Sequence, residues 1–257
     1  MTTDPLEAEI IKAQPKASRL GFDSLLEDVF GLNIRSLKTI GVLFSRPARY
    51  FDAARDRNWL GRFTPSFRVW FGLLAVMAFM RFFYGSEDSA LIEGMTAQMD
   101  AEIAEIPDDS MTFNTRQYAI DTFKWLFVFM PFAFIPVYSA VAFTFRSFGG
   151  SPSFVVRLRY VLATVIPSTV LLLAMTPILM FRLTPNQMTV YTVIGLILMF
   201  GADYLKAYRG ALVDRERGRA GVALGFATLL FVAYFVAMII AMVPAVILSL
   251  ANNMSFH

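Results

Sequence analysis

Five stretches of nearly unbroken apolar residues, separated by polar and charged segments, set the frame of the chain. They run over about 69–84, 123–145, 154–181, 188–208 and 220–250. A bilayer's hydrocarbon core is roughly 30 Å thick and takes about 20 helical residues to cross. Most of these stretches reach that length, and they are apolar all round rather than along one stripe, as expected of membrane-embedded helices. The first, Val69 to Tyr84, is the shortest and carries Arg81 near its end, from where an arginine can snorkel to the interface. Phe67 and Trp70 mark its start in the manner of interfacial aromatics. Pro131 and Pro136 fall in the second stretch, Pro167 and Pro177 in the third and Pro244 in the fifth. Each removes one helix hydrogen bond, which a membrane helix tolerates when neighbouring helices take up the freed groups. The pattern predicts an all-α, polytopic integral membrane helix bundle of about five transmembrane helices.

Two weaker periodicities flank the first stretch. Leu37, Ile40, Gly41, Phe44, Tyr50 and Phe51 recur at roughly helical spacing with a break at Pro47, so residues 29–68 form a basic amphipathic segment that lies in the interface. Leu91, Ile92, Met95, Met99, Ile103 and Ile106 repeat every three or four residues inside the acidic segment 86–122, which predicts a helix with one apolar face. Residues 1–28 read as a mobile polar tail without the features of a secretory signal peptide, and 251–257 as a short C-terminal tail.

Charge changes the picture by giving the bundle two unlike ends. Arg35, Lys38, Arg46, Arg49, Arg55, Arg57, Arg62 and Arg68 crowd the segment before the first stretch, opposed by Asp52 and Asp56. Between the first and second stretches the balance reverses, with Glu87, Asp88, Glu93, Asp100, Glu102, Glu105, Asp108, Asp109 and Asp121 against Arg116. Arg146, Arg157 and Arg159, and later Lys206, Arg209, Arg215, Arg217 and Arg219, restore the basic character at alternate connections. By the positive-inside rule the basic end is cytoplasmic, which puts the N-terminus inside and the C-terminus outside. Multi-pass insertion in a plasma (inner) membrane is the expectation.

Composition then narrows the chemistry. Of the 257 residues 56% are hydrophobic, above the roughly 45–50% of soluble domains. There is no cysteine, and the one histidine is His257. Thiolate metal sites, thiol nucleophiles, HExxH zinc sites, Ser-His-Asp triads and bis-histidine haem ligation are thereby excluded. No catalytic residues, no metal ligands and no cofactor are expected.

The remaining candidates are polar groups at or near the membrane. Arg46, Arg49, Arg55, Arg57 and Arg62 are candidates for lipid-headgroup contacts, since each basic residue near an anionic surface contributes about 1 kcal/mol. Their position beside the membrane favours lipid over nucleic acid. Arg81, Asp203 and Lys206 form a candidate intramembrane or interfacial polar set. Asp203 and Lys206 are three residues apart and share a helix face. The bland reading makes them an interfacial pair that ends the fourth helix. Gly149 and Gly150 suit a hairpin turn, with Ser151 and Pro152 ready to start the next helix. Gly221 and Gly225 form a small-xxx-small pair for helix packing.

The segment Ser147-Phe148-Gly149-Gly150-Ser151-Pro152-Ser153-Phe154, followed by Pro167 inside the next apolar stretch, resembles the Yip-domain family of Ypt-interacting proteins. Ser36 to Phe71 is similar to the juxtamembrane region of bacterial relatives. The resemblance implies five spans, a cytoplasmic N-terminus, and a non-enzymatic role in organising or adapting membrane components. Membrane lipids are the expected partners, together with a protein partner in the membrane or a second copy of the chain, and no nucleic acid. The alternatives are a small transporter or lipid permease component, for which a water-filled cavity reaching Asp203 and Lys206 would speak and a closed, dry bundle would not, and a lipid-modifying membrane enzyme, which would need convergent carboxylates.

Overall fold

A computed structural model describes residues 32–55, 62–84, 89–103, 111–144, 153–180, 183–210 and 218–256. Arg57, Gly149 and Gly150 lie outside these, as do the side chains of Arg55 and Arg81.

Among the described residues the chain is a helical bundle. Helices α1 (Ile34–Ser45) and α2 (Pro47–Arg55) precede α3 (Ser66–Tyr84). Helix α4 (Ala90–Ile103) and a short strand β1 (Met111–Phe113) lead into α5 (Thr115–Thr144). Then come α6 (Phe154–Met175) with a 3-10 turn over Thr176–Met180, α7 (Pro185–Arg209), α8 (Arg219–Asn253) and strand β2 (Met254–Phe256). Four helices, α5 to α8, are long and apolar enough to cross a membrane. Helix α3 is shorter and packs beside α6.

Local sequence explains where these elements start and stop. Asn33 and Ser36 form a capping box for α1, and Thr184 and Gln187 do the same for α7, where Pro185 fills the first turn. Pro47 cannot extend α1 and instead opens α2. Pro177, expected inside the third span, falls in the 3-10 turn that ends α6 at Met175. Pro131, Pro136, Pro167 and Pro244 all sit inside continuous helices.

The core has an axis and a seam. Helix α6 is the axis, with every residue from Tyr160 to Ser168 buried, because α3, α5 and α7 all pack on it. The seam runs between α5 and α8, the most extensive contact in the molecule. On α8 the buried positions Ala237, Ala241, Ala245 and Ser249 repeat every fourth residue and are wholly covered. In lipid, helix association gains little from hydrophobicity and relies on close van der Waals approach, which small side chains permit. The opposite faces of α7 and α8 expose Val190, Ile197, Val232, Ile239 and Ile247, as surfaces against lipid do.

At about 1.5 Å per residue, α5 with 30 residues and α8 with 35 measure about 45 and 52 Å, more than a bilayer core requires. Their excess turns support the acidic end. There β1 and β2 pair antiparallel, Met111 opposite Phe256 and Phe113 opposite Met254. Asn253 Nδ2 donates to Asp121 Oδ2 at 3.0 Å, and Thr115 Oγ1 donates to Asp100 Oδ1 at 2.6 Å. The C-terminal tail is therefore tied to the acidic segment by a ladder, a feature too short to leave any periodicity in the sequence. Helix α4 buries Ile92 and half-buries Met95 and Met99, while Ile103 stays 38% exposed.

An Ala241→Leu substitution adds three carbons to the α5–α8 seam and is expected to destabilise the fold by about 1–3 kcal/mol or more. Ile240→Leu on the exposed flank should be near neutral. Thermal unfolding in detergent distinguishes them, and equal midpoints for the two variants would contradict the seam.

Candidate functional site

Two places in the bundle gather polar groups. The first is the platform of α1 and α2 at the basic end. Its hub is Thr64. The Thr64 amide donates to Thr39 Oγ1 at 3.0 Å, its hydroxyl accepts from Ser36 Oγ at 3.3 Å, and its carbonyl accepts from Tyr50 Oη at 3.3 Å. Ser36, Thr39, Tyr50 and Thr64 are all buried, so these bonds close in a dry interior. Burial pushes the Tyr50 hydroxyl up from its ordinary 10.0 to about 12.

The spanning helices hold the platform by its carbonyls. Lys206 Nζ on α7 donates to Phe44 O at 2.7 Å in the last turn of α1 and lies 5.0 Å from the centre of the Phe44 ring. Arg159 Nη1 on α6 donates to Ala54 O at 3.2 Å in the last turn of α2. Tyr160 Oη donates to Phe51 O at 3.2 Å. The last four carbonyls of a helix have no partner within it, and its C-terminus carries partial negative charge, so cations are well placed there. Gly210 completes the fit, since a Cβ on it would run into the Phe51 ring.

On its outer side the platform forms a groove of about 740 Å³ lined by Lys38, Val42, Arg49, Asp52, Ala53, Arg62 and Phe63. Lys38, Arg49 and Arg62 outnumber the one acid, Asp52, and all four are exposed. Beside the groove α1 exposes Ile34 and Leu37, at 64% and 52%. A cationic groove flanked by bare apolar residues suits a surface that is part headgroup and part acyl chain.

The second place is a small, partly open cavity of about 40 Å³ where five helices converge. Helix α3 lends Trp70, α5 lends Phe134 and Tyr138, and α6 lends Ser168 and Thr169. Helix α7 lends Met199 and Asp203, and α8 lends Leu230 and Tyr234. Asp203 is 3% exposed and its Oδ1 has no hydrogen-bond partner. Ser168 Oγ sits beside its carboxyl group, and Tyr138 is within its electrostatic reach. Among the described residues no group of three or more His, Cys, Asp or Glu converges, and Asp203 is the one acid in the cavity lining.

Comparison with family models, with curated proteins and with solved structures finds no match. Geometry and chemistry alone therefore bear on what these two places do.

Of the residues singled out in the sequence, Arg49 and Arg62 line the groove and Arg46 is exposed at the junction of α1 and α2. Asp203 and Lys206 are both buried but engage different partners, the cavity and the end of α1 respectively. Gly221 is exposed with open space around it and Gly225 is half-buried, while Ala223 and Ala227 of the same turns are buried. Sequence reasoning noted Tyr50, Trp70 and Arg159 only for periodicity, interface position and charge, and did not single out Thr64, Tyr138, Ser168 or Tyr234. Their helical spacing alone carries no sign of which neighbour each would meet.

The Tyr50 shift has a defined pH signature. Below pH 10 the phenol is protonated whether the platform is docked or open. Between pH 10 and about 12 only the open form ionises, so docking weakens as pH rises through that window, by about 2–3 kcal/mol in all. Tyr50→Phe should remove this part of the alkaline destabilisation. Unfolding midpoints of the two proteins between pH 9 and 12 check it, and parallel curves would refute it.

Proposed function

We propose that the chain is a non-catalytic, multi-pass protein of the plasma (inner) membrane, Yip-domain-like in arrangement. It acts as a membrane organiser whose α1–α2 platform holds anionic lipid headgroups. The single observation that carries this reading is the groove of Lys38, Arg49 and Arg62 beside the bare Ile34 and Leu37 of α1. Arginine presents a planar fork of donors matched to phosphate oxygens, and lysine adds a compact charge. The basic residues cluster at the platform end and the acidic ones at the other, which supports a cytoplasmic platform by the positive-inside rule. Helix α3 serves as the fifth span in this reading, its length of 19 residues giving about 28 Å. The Ser147 to Phe154 sequence and the buried Pro167 that follows it are what support the resemblance to the Yip-domain family.

Gentle extraction followed by native mass spectrometry tests the lipid reading. The wild type is expected to retain phosphatidylglycerol-type lipid over phosphatidylcholine. Lys38→Glu/Arg49→Glu/Arg62→Glu should lose that preference, since each cation contributes about 1 kcal/mol, or about fivefold in affinity. Equal retention by both proteins would overturn it. A stoichiometric protein partner in the same spectrum would support the adaptor side of the proposal.

The absence of cysteine makes the topology directly testable. Arg62→Cys is expected to resist an impermeant maleimide in intact cells and Asn186→Cys to react with it. The opposite pattern would invert the orientation.

A further inference from the structure

The cavity at the meeting point of α3, α5, α6, α7 and α8 lies apart from the cationic groove of the platform, yet it holds the one buried carboxyl group among the described residues. A carboxylate in an apolar interior is very unfavourable unless paired, and charges at membrane depth usually mark a functional site. Lys206 would be the natural partner one turn away, but its ammonium is committed to Phe44 O. Asp203 Oδ1 is left without a hydrogen bond, and the residue lines the cavity.

The walls of that space favour a particular kind of cation. Ser168 Oγ donates to Val165 O at 2.9 Å, and Thr169 Oγ1 donates to the same carbonyl at 2.8 Å. The Ser168 hydroxyl also reaches the Asp203 carboxyl group, and both hydroxyl oxygens carry lone pairs that a cation in the cavity can use. Two hydroxyl acceptors and a carboxylate match the three N–H donors of a primary ammonium. The other walls are aromatic. Trp70 packs on Tyr138 with ring centres 5.8 Å apart, and Phe134 packs on Tyr234 at 5.7 Å. Aromatic faces attract organic cations, and most strongly where water is excluded. A hard inorganic ion would want a shell of six or more oxygens, which these rings do not supply. A space of about 40 Å³ exceeds the roughly 10–15 Å³ that one water needs, so it takes a small ammonium group and little more.

We propose that the Asp203 cavity binds a small primary ammonium, with the carboxylate as its counter-ion, the Ser168 and Thr169 hydroxyls as acceptors and Trp70, Tyr138 and Tyr234 as its aromatic walls. The ammonium comes from a free amine or from the head of an aminolipid, and the two sources are separable.

The probe is methylammonium chloride, applied to the full chain in nanodiscs free of phosphatidylethanolamine. A lipid-soluble carbodiimide labels carboxyl groups in apolar surroundings, and mass spectrometry reads the label at Asp203. Methylammonium at about ten times its Kd is expected to slow labelling about tenfold, as occupancy requires. Potassium chloride at equal strength should not slow it. Methylammonium should also raise the unfolding midpoint of the wild type but not of Asp203→Asn. The labelling needs only the wild type, so it decides the matter even where the variant fails to fold. No protection, or equal protection by potassium or sodium chloride, would overturn the proposal. Protection by phosphatidylethanolamine nanodiscs without added amine would keep the ammonium site and assign it to a lipid headgroup.

Discussion

Polar groups inside this bundle have only the protein to pair with, because hydrocarbon offers no partner, and few of those described go without one. Lys206 shows how far that constraint reaches. Its stem rises through the buried face of α7, and its ammonium ends on Phe44 O in the last turn of α1. One contact meets two needs, since a buried cation gains an acceptor and a helix end gains a donor. Arg159 repeats the arrangement on α2 through Ala54 O. The platform is thus fixed by the membrane helices at its carbonyl ends, and its outer face, with Lys38, Arg49 and Arg62, is left open. Cations that stand out in the sequence only as charge thus hold α1 and α2 in place.

The span interiors obey a second rule, which is shape. Ala237, Ala241, Ala245 and Ser249 on α8 let α5 come close, and the prolines of α5 leave its helix continuous. Ser249 Oγ donates to Ala245 O at 2.8 Å, so even the one polar residue of this stripe is satisfied within its own helix. Bulk is concentrated at Trp70, Phe134, Tyr138 and Tyr234, around the convergence of five helices. Small residues along one seam and large ones at one crossing leave a cavity at the crossing. Large rings pack less completely than methyl groups where several helices meet at angles.

Much of this architecture was legible in the residues. The long apolar runs announced α5, α6, α7 and α8, and the break at Pro47 separated α1 from α2 as a proline must. The apolar repeat of the acidic segment became α4, with Ile92 buried in its first turn. Helical periodicity could not say which side of a uniformly apolar helix meets protein and which meets lipid. For that reason Gly221 and Gly225 drew notice while the alanine stripe further along α8 carried the closest packing. The β1–β2 ladder was equally silent, because three-residue strands have no period to detect. The basic cluster was visible as charge, but charge alone did not show that Arg49 and Arg62 join Lys38 along one groove.

Asp203 and Lys206 mark the limit of reasoning by spacing. Three residues apart on one helix, they read as an ion pair. A helix turn of that length carries the two side chains toward different neighbours once both ends are buried. Lys206 has the longer stem and reaches beyond the end of α7 to α1, whereas the short carboxyl of Asp203 remains level with Trp70 and Tyr138. The last two turns of α7 therefore hold three things in one rigid stretch: the cavity carboxyl, the cation on α1 and, at Gly210, the close approach of Phe51 from α2. This stretch cannot shift along its axis without disturbing all three. Cavity and platform stand about two helical turns apart, and they share a mechanical element even though they share no ligand.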